Sequence, residues 1–227
     1  MNYLVVAAHP DDEVLGAGAT IYQLTKAGHS VEVCILSGKA EARANRPSDE
    51  ELSSDISQSL GVIGAKHTFI GNFPNIKLNT VDHLSLVQFI EQAILSFQPD
   101  VVITHHPSDS NNDHLHTSMA CQEAIRIFQR RDGLHPIREF WYMEVPSATD
   151  WGVNPAMQKF DPNLFVEVGR EGLDKKLEAL SAYVGVQRPY PHPRSTESIE
   201  ALALYRGSQA GCRCAESFQV AFRRITF

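Results

Sequence analysis

The chain opens on Leu4-Val5-Val6-Ala7-Ala8-His9-Pro10-Asp11-Asp12-Glu13. An apolar run of strand length stops at a histidine, a turn-setting proline and three consecutive acids. A short continuous apolar run is what a parallel strand buried on both faces requires. Such a strand delivers His9 and its neighbouring carboxylates to the carboxyl edge of a sheet, where open α/β folds bind ligands. Histidine and aspartate suit a divalent metal of the zinc type, and a carboxylate not spent on the metal is free to act as a base.

The rest of the first half repeats the unit. Tyr3–Ala8 reads as a strand and Val14–Ala27 as a helix, with Leu15, Ile21 and Leu24 inward and Gly28 as its stop. Val31–Leu36 is the next strand. Asp49–Leu60 reads as a helix stopped at Gly61, Thr68–Gly71 as a strand, Val81–Phe97 as an amphipathic helix and Val101–Thr104 as a strand. Repeated βα units predict a Rossmann-like, doubly wound, mainly parallel α/β sheet with helices on both faces. Beyond it the chain predicts a helix from about His114 to Gln129, strands at Phe140–Val145 and Phe165–Val168, helices at Leu173–Tyr183 and Ile199–Leu204, and a strand-like Phe218–Ile225. The 227 residues, 43% of them hydrophobic, fit one domain over 1–227 whose last third covers the mouth of the site.

Composition excludes several functions. The formal net charge of −7 disfavours a nucleic-acid partner. No basic-then-apolar leader and no run of membrane length are visible, so the expectation is a soluble, cytoplasmic protein with no membrane partner. Cys34, Cys121, Cys212 and Cys214 lack zinc-knuckle spacing and read as reduced thiols. Gly16-Ala17-Gly18 resembles the start of a dinucleotide fingerprint, but Ile21 stands where the third glycine belongs. A nucleotide cofactor is rejected.

A second polar cluster, His105-His106-Pro107-Ser108-Asp109-Ser110-Asn111-Asn112-Asp113-His114-Leu115-His116, also follows a strand and so lies on the same sheet edge as His9. Ala8-His9-Pro10-Asp11-Asp12-Glu13 together with Asp113-His114 resembles the two-part signature of the LmbE/PIG-L family of zinc-dependent N-deacetylases. That family includes the N-acetylglucosaminyl-phosphatidylinositol, mycothiol and bacillithiol deacetylases. The α/β pattern of roughly the first 130 residues resembles it as well. Pro191-His192-Pro193-Arg194-Ser195 and Arg206-Gly207 look like segments of its bacterial sugar-deacetylase branch.

The resemblance implies His9, Asp12 and His114 as ligands of Zn²⁺ or Fe²⁺, and Asp11 as the general base. It implies Glu13 and Asp113 as groups that orient a ligand or open a helix, and assembly as a homo-oligomer, a trimer or hexamer. Several family members carry a histidine three residues before the metal histidine, where it stabilises the oxyanion; here that position is Asn111. An asparagine donates a hydrogen bond but supplies neither charge nor a proton. His192 is the candidate replacement, entering the site from its own chain or across a subunit boundary. Asp109 is expected to orient a ligand or touch substrate, while Arg43, Arg46, Arg194 and Arg206 are expected to hold substrate hydroxyls or a phosphate. His105, His106 and His116 are expected to lie nearby without ligating.

The implied function is metal-dependent removal of acetate from an N-acetylated amino sugar or its conjugate. One rival is a related amidase acting on a larger amide, such as a thiol conjugate. Another is a ligand-binding module without turnover, against which Asp11 argues, since pure binding needs no carboxylate beside the ligating one. The loops expected to choose the substrate are Lys39–Ser48, Phe73–Thr80, Tyr142–Phe160 and Val186–Thr196.

Overall fold

A computed structural model describes residues 1–40, 47–154 and 156–225. Seven strands form one sheet: β1 (Asn2–Ala7), β2 (Ser30–Ile35), β3 (Lys66–Ile70), β4 (Val101–His105), β5 (Glu139–Met143), β6 (Leu164–Glu167) and β7 (Ala215–Arg223), in the order β3-β2-β1-β4-β5-β7-β6. The first five are parallel, and β7 runs antiparallel to both β5 and β6.

Strand alternation sorts the core into two layers. Val5 and Ala7 of β1 and Val33 and Ile35 of β2 pack with α1 (Asp12–Lys26), α2 (Asp49–Ile63) and α5 (Gly169–Ala182). Leu4, Val6 and Cys34 face the other way, onto α3 (His83–Phe97) and α4 (Asn112–Ala124). Helix α6 (Thr196–Ala210) adds Ile199 and Ala203 to the first layer, beside Phe218 of β7. A sheet buried on both faces explains why β1 reads as an almost unbroken apolar run. The doubly wound architecture is thus the observed one.

Some boundaries differ from the sequence reading for identifiable reasons. Helix α2 passes through Gly61 and ends at Gly64, whose φ of 73° takes the left-handed C-cap position. Helix α4 begins two residues before His114, because the side chain of Asn111 accepts the backbone N–H of Asp113 at 2.9 Å. It ends at Ala124, and a separate 3₁₀ turn covers Ile127–Gln129. Ser195 caps α6, which runs well beyond the six residues the apolar pattern marked.

The chain winds outward from β1 through β2 to β3, then returns to place β4 on the other flank of β1. That reversal makes the β1/β4 boundary the switch point of the sheet, where the crevice beyond the strand ends receives ligands. His9 follows β1 and His105 ends β4. No helix among the described residues is long and apolar enough to cross a membrane.

Candidate active site

Three side chains meet at the switch point. The ligand atoms of His9, Asp12 and His114 lie within 4.8 Å of one another, and all three residues are buried. Asp12 Oδ2 is 3.3 Å from His9 Nδ1 and 3.1 Å from His114 Nε2. It also accepts the backbone N–H of His9 at 3.0 Å, which closes the turn between strand and helix.

Each imidazole is held by its far nitrogen. His9 Nε2 sits 2.9 Å from Asp113 Oδ2, whose other oxygen accepts the backbone N–H of Leu78 at 2.9 Å. His114 Nδ1 sits 3.0 Å from Asp109 Oδ2, which also accepts from the Thr149 hydroxyl at 3.1 Å. A carboxylate on one ring nitrogen fixes the tautomer and turns the other nitrogen toward the shared centre. His114 Nε2 is fully buried yet makes no hydrogen bond among the described residues. A buried imidazole nitrogen left without a hydrogen bond, facing a carboxylate and a second imidazole, is the arrangement a divalent cation completes.

His105 lies closer than expected: its ring stacks on His114 at 3.9 Å, and Nε2 is 3.6 Å from Asp12 Oδ2. His105, Asp109 and His114 form a second compact group of ligand atoms. In that group, however, His105 Nε2 already accepts the backbone N–H of Ala8 at 2.9 Å, and Asp109 Oδ2 is taken by His114 and Thr149. The first group keeps His114 Nε2 open toward Asp12 and His9, whereas the open nitrogen of the second is His105 Nδ1. His106 turns away, bonding Ser108 at 2.7 Å and meeting Tyr142 and Phe160 edge-on. His116 is half-buried on α4.

Electrostatics follow from the packing. Burial alone pushes Asp12 up, but the histidines around it, His114 first, hold its carboxyl well below the usual range. Burial pushes His114 down, and Asp12 and Asp109 overcome this and raise it. Burial carries the Glu13 carboxyl up to about 8 and the His105 imidazole down to about 3.

Asp11 occupies the turn before α1 with φ 106° and makes no side-chain cap. Its Oδ2 is 3.5 Å from Nη1 of Arg194, whose Nε donates to the Ser147 hydroxyl at 2.7 Å. Arg194 thus brings the segment before α6 to the site. His192 in that segment is exposed, and its Nδ1 accepts the backbone N–H of Arg194 at 3.0 Å. Partial burial, then Arg194 and Arg188, lower its pKa. Arg206 is engaged elsewhere, pairing through two nitrogens with Glu144 at 2.6 and 3.0 Å and through the third with Gln209. Asn111 is the cap of α4, and Arg43 and Arg46 lie outside the described residues. Thr149, Ser147 and Tyr183 contact the cluster's supports without any local signal in the sequence. His105 carried such a signal, as the last residue of a buried strand.

Comparison with known proteins places both polar clusters within one family match. Residues 4–125 match the family model for GlcNAc-PI de-N-acetylase (PIG-L), a stretch that contains both halves of the cluster. A relative from Escherichia coli (strain K12), the uncharacterized deacetylase YaiS, is 26% identical over 185 residues, covering 79% of this chain and 89% of its own. N,N'-diacetylchitobiose deacetylase from Pyrococcus horikoshii superposes with a TM-score of 0.77 at 20% identity, over 96% of this chain and 83% of that one. GalB, the 4-carboxy-2-hydroxymuconate hydratase of Pseudomonas putida KT2440, superposes with a TM-score of 0.76 at 23% identity, over 100% and 98%. A deacetylase and a hydratase on one fold mean that the fold does not choose the reaction; the site must. With its family model spanning more than half the sequence and both polar clusters, the chain belongs to the GlcNAc-PI de-N-acetylase (PIG-L) family.

Proposed function

We propose that the protein is a metal-dependent hydrolase that removes the acetyl group from an N-acetylated amino sugar or sugar conjugate. The observation that carries this reading is the buried His114 Nε2, open toward Asp12 and His9 while its partner nitrogen is anchored on Asp109. His9, Asp12 and His114 would hold the ion, Zn²⁺ or Fe²⁺. Such an ion, when bound, supplies Lewis-acid polarisation of the amide carbonyl and lowers the pKa of water.

The chain's own residues do the rest. Asp11 takes a proton from water as its oxygen attacks the carbonyl carbon, and gives that proton to the nitrogen as the C–N bond breaks, leaving acetate and a free amine. Arg194 ties the Asp11 carboxylate to Ser147 and so to the loop after β5. His192 is the candidate donor to the oxyanion. Because its Nδ1 is occupied as an acceptor, the ring hydrogen of the neutral form sits on Nε2, a neutral hydrogen-bond donor. Asn111 retains an amide N–H pair for the same purpose while its oxygen caps α4. Of the two candidate arginines among the described residues, Arg194 beside Asp11 is better placed for substrate than Arg206, which is held by Glu144.

The named activity of the Pyrococcus horikoshii protein supports an N-acetyl sugar as the substrate class. The test is a screen of N-acetylated sugars, free, nucleotide-linked and lipid-linked, for acetate release with and without chelator. Chelator-sensitive release from at least one supports the reading; release only from larger amides would favour the amidase alternative. Assembly as a trimer or hexamer belongs to the same proposal. Light scattering that found only monomer would remove it.

A further inference from the structure

The conformation of Asp11 is unusual for any residue with a side chain. A φ of 106° lies in the region that L-residues rarely adopt, and it persists only where the surroundings over-determine it. The surroundings here are specific. The backbone N–H of Asp11 donates to Glu13 Oε2 at 3.1 Å, and the other Glu13 oxygen accepts the hydroxyl of Tyr183 at 2.6 Å. Glu13 is fully buried and Tyr183 nearly so. Tyr183 stands at the C-terminal cap of α5, 170 residues further along the chain, where α5 packs against α1. The Glu13 side chain is therefore a fixed bridge between the backbone of the strained turn and a distant helix.

The consequence concerns the Asp11 side chain. A residue before a helix ordinarily turns its carboxylate onto the first-turn N–H groups. Asp11 does not, and its carbonyl oxygen starts the helix instead, accepting from Leu15 at 2.8 Å. The carboxylate is released from capping and lies beside Arg194. We infer that Glu13 and Tyr183 are positioning residues for the reaction, holding Asp11 in the left-handed turn that directs its carboxylate away from the helix cap and toward Arg194 for proton transfer. Neither touches substrate; both act through the Asp11 backbone. This rests on the reading of Asp11 as the base.

The experiment compares Tyr183→Phe, Glu13→Gln and Asp11→Asn in the full chain at equal metal content. Tyr183→Phe removes one hydroxyl and little volume. Glu13→Gln keeps the shape but replaces one acceptor oxygen by a donor, so it cannot accept from both partners. The expected result is a kcat lowered roughly 10- to 100-fold in both, with KM within about two-fold and metal content unchanged. Amide exchange at Asp11 should be faster in both variants, in metal-free protein as well as loaded. Wild-type kcat in Tyr183→Phe and Glu13→Gln, with only a lowered melting temperature, would overturn the inference and leave a helix-pinning role. If those variants are normal while Asp11→Asn is inactive, the positioning idea alone fails. If Asp11→Asn itself turns over normally, the base assignment fails and takes this inference with it.

Discussion

Asp109 Oδ2 lies 3.0 Å from His114 Nδ1 and so aims the opposite ring nitrogen at Asp12, 3.1 Å away. The contact predicts that Asp109 acts on metal affinity. Asp109→Ala should weaken divalent-metal binding by about 10- to 100-fold, measured by competition with a chelating dye. An unchanged affinity combined with a raised KM would assign Asp109 to the substrate instead.

The two adjacent aspartates should separate cleanly. Asp11→Asn should keep metal and substrate binding and lose most of kcat, because an amide cannot accept a proton from water. Asp12→Asn should weaken metal affinity, and excess metal should restore part of its rate. Rescue of Asp11→Asn but not of Asp12→Asn by metal would reverse the two roles.

His192 offers a test of donor against acid. Burial and the neighbouring Arg194 and Arg188 lower its pKa, which favours the neutral ring, and with Nδ1 accepting from Arg194 the ring hydrogen of that form is on Nε2. His192→Ala should lower kcat by roughly 10²- to 10⁴-fold with metal content intact. His192→Gln should recover part of the loss, since its amide also donates. Equal loss in both variants would point to a transferred proton. A normal rate in His192→Ala would return the role to Asn111.

The two glycines at the end of α2 give opposite stability predictions. Gly61 lies inside the helix with open space where a Cβ would stand. Gly61→Ala should stabilise by about 0.5–1 kcal/mol through helix propensity. Gly64 has φ 73° and a Cβ there would come 2.8 Å from Thr25 Oγ1. Gly64→Ala should destabilise by about 1–2 kcal/mol. Thermal melts of the two variants check both signs.

Those glycines also mark what the sequence could reveal. Apolar runs and breakers identified the parallel strands where burial on both faces leaves few polar residues, as in β1, and misplaced the start of β3, which opens on Lys66 and His67. The same rules misjudged Gly61, since a single glycine is tolerated within a helix once its neighbours Leu60 and Ile63 are buried. That His9, Asp12 and His114 would meet was legible, because the turn after β1 and the start of α4 after β4 lie at one edge of the sheet. The anchoring of those side chains was only half legible. Asp109 and Asp113 sit inside the polar cluster, but Thr149, Ser147, Tyr183 and the Arg194 contact with Asp11 come from distant segments, and only tertiary packing brings them in. Arg206 read as free for substrate because its partner Glu144 lies 62 residues away.

If His9, Asp12 and His114 hold the ion on which deacetylation depends, metal content and activity must rise and fall together. The most direct measurement is a metal titration into chelator-stripped protein, following metal bound per chain and acetate released from an N-acetylated amino sugar together. Acetate release should rise in step with occupancy to about one ion per chain, and the His9→Ala, His114→Ala double variant should show neither. Full occupancy in the double variant, or undiminished acetate release from stripped wild-type protein, would contradict that assignment.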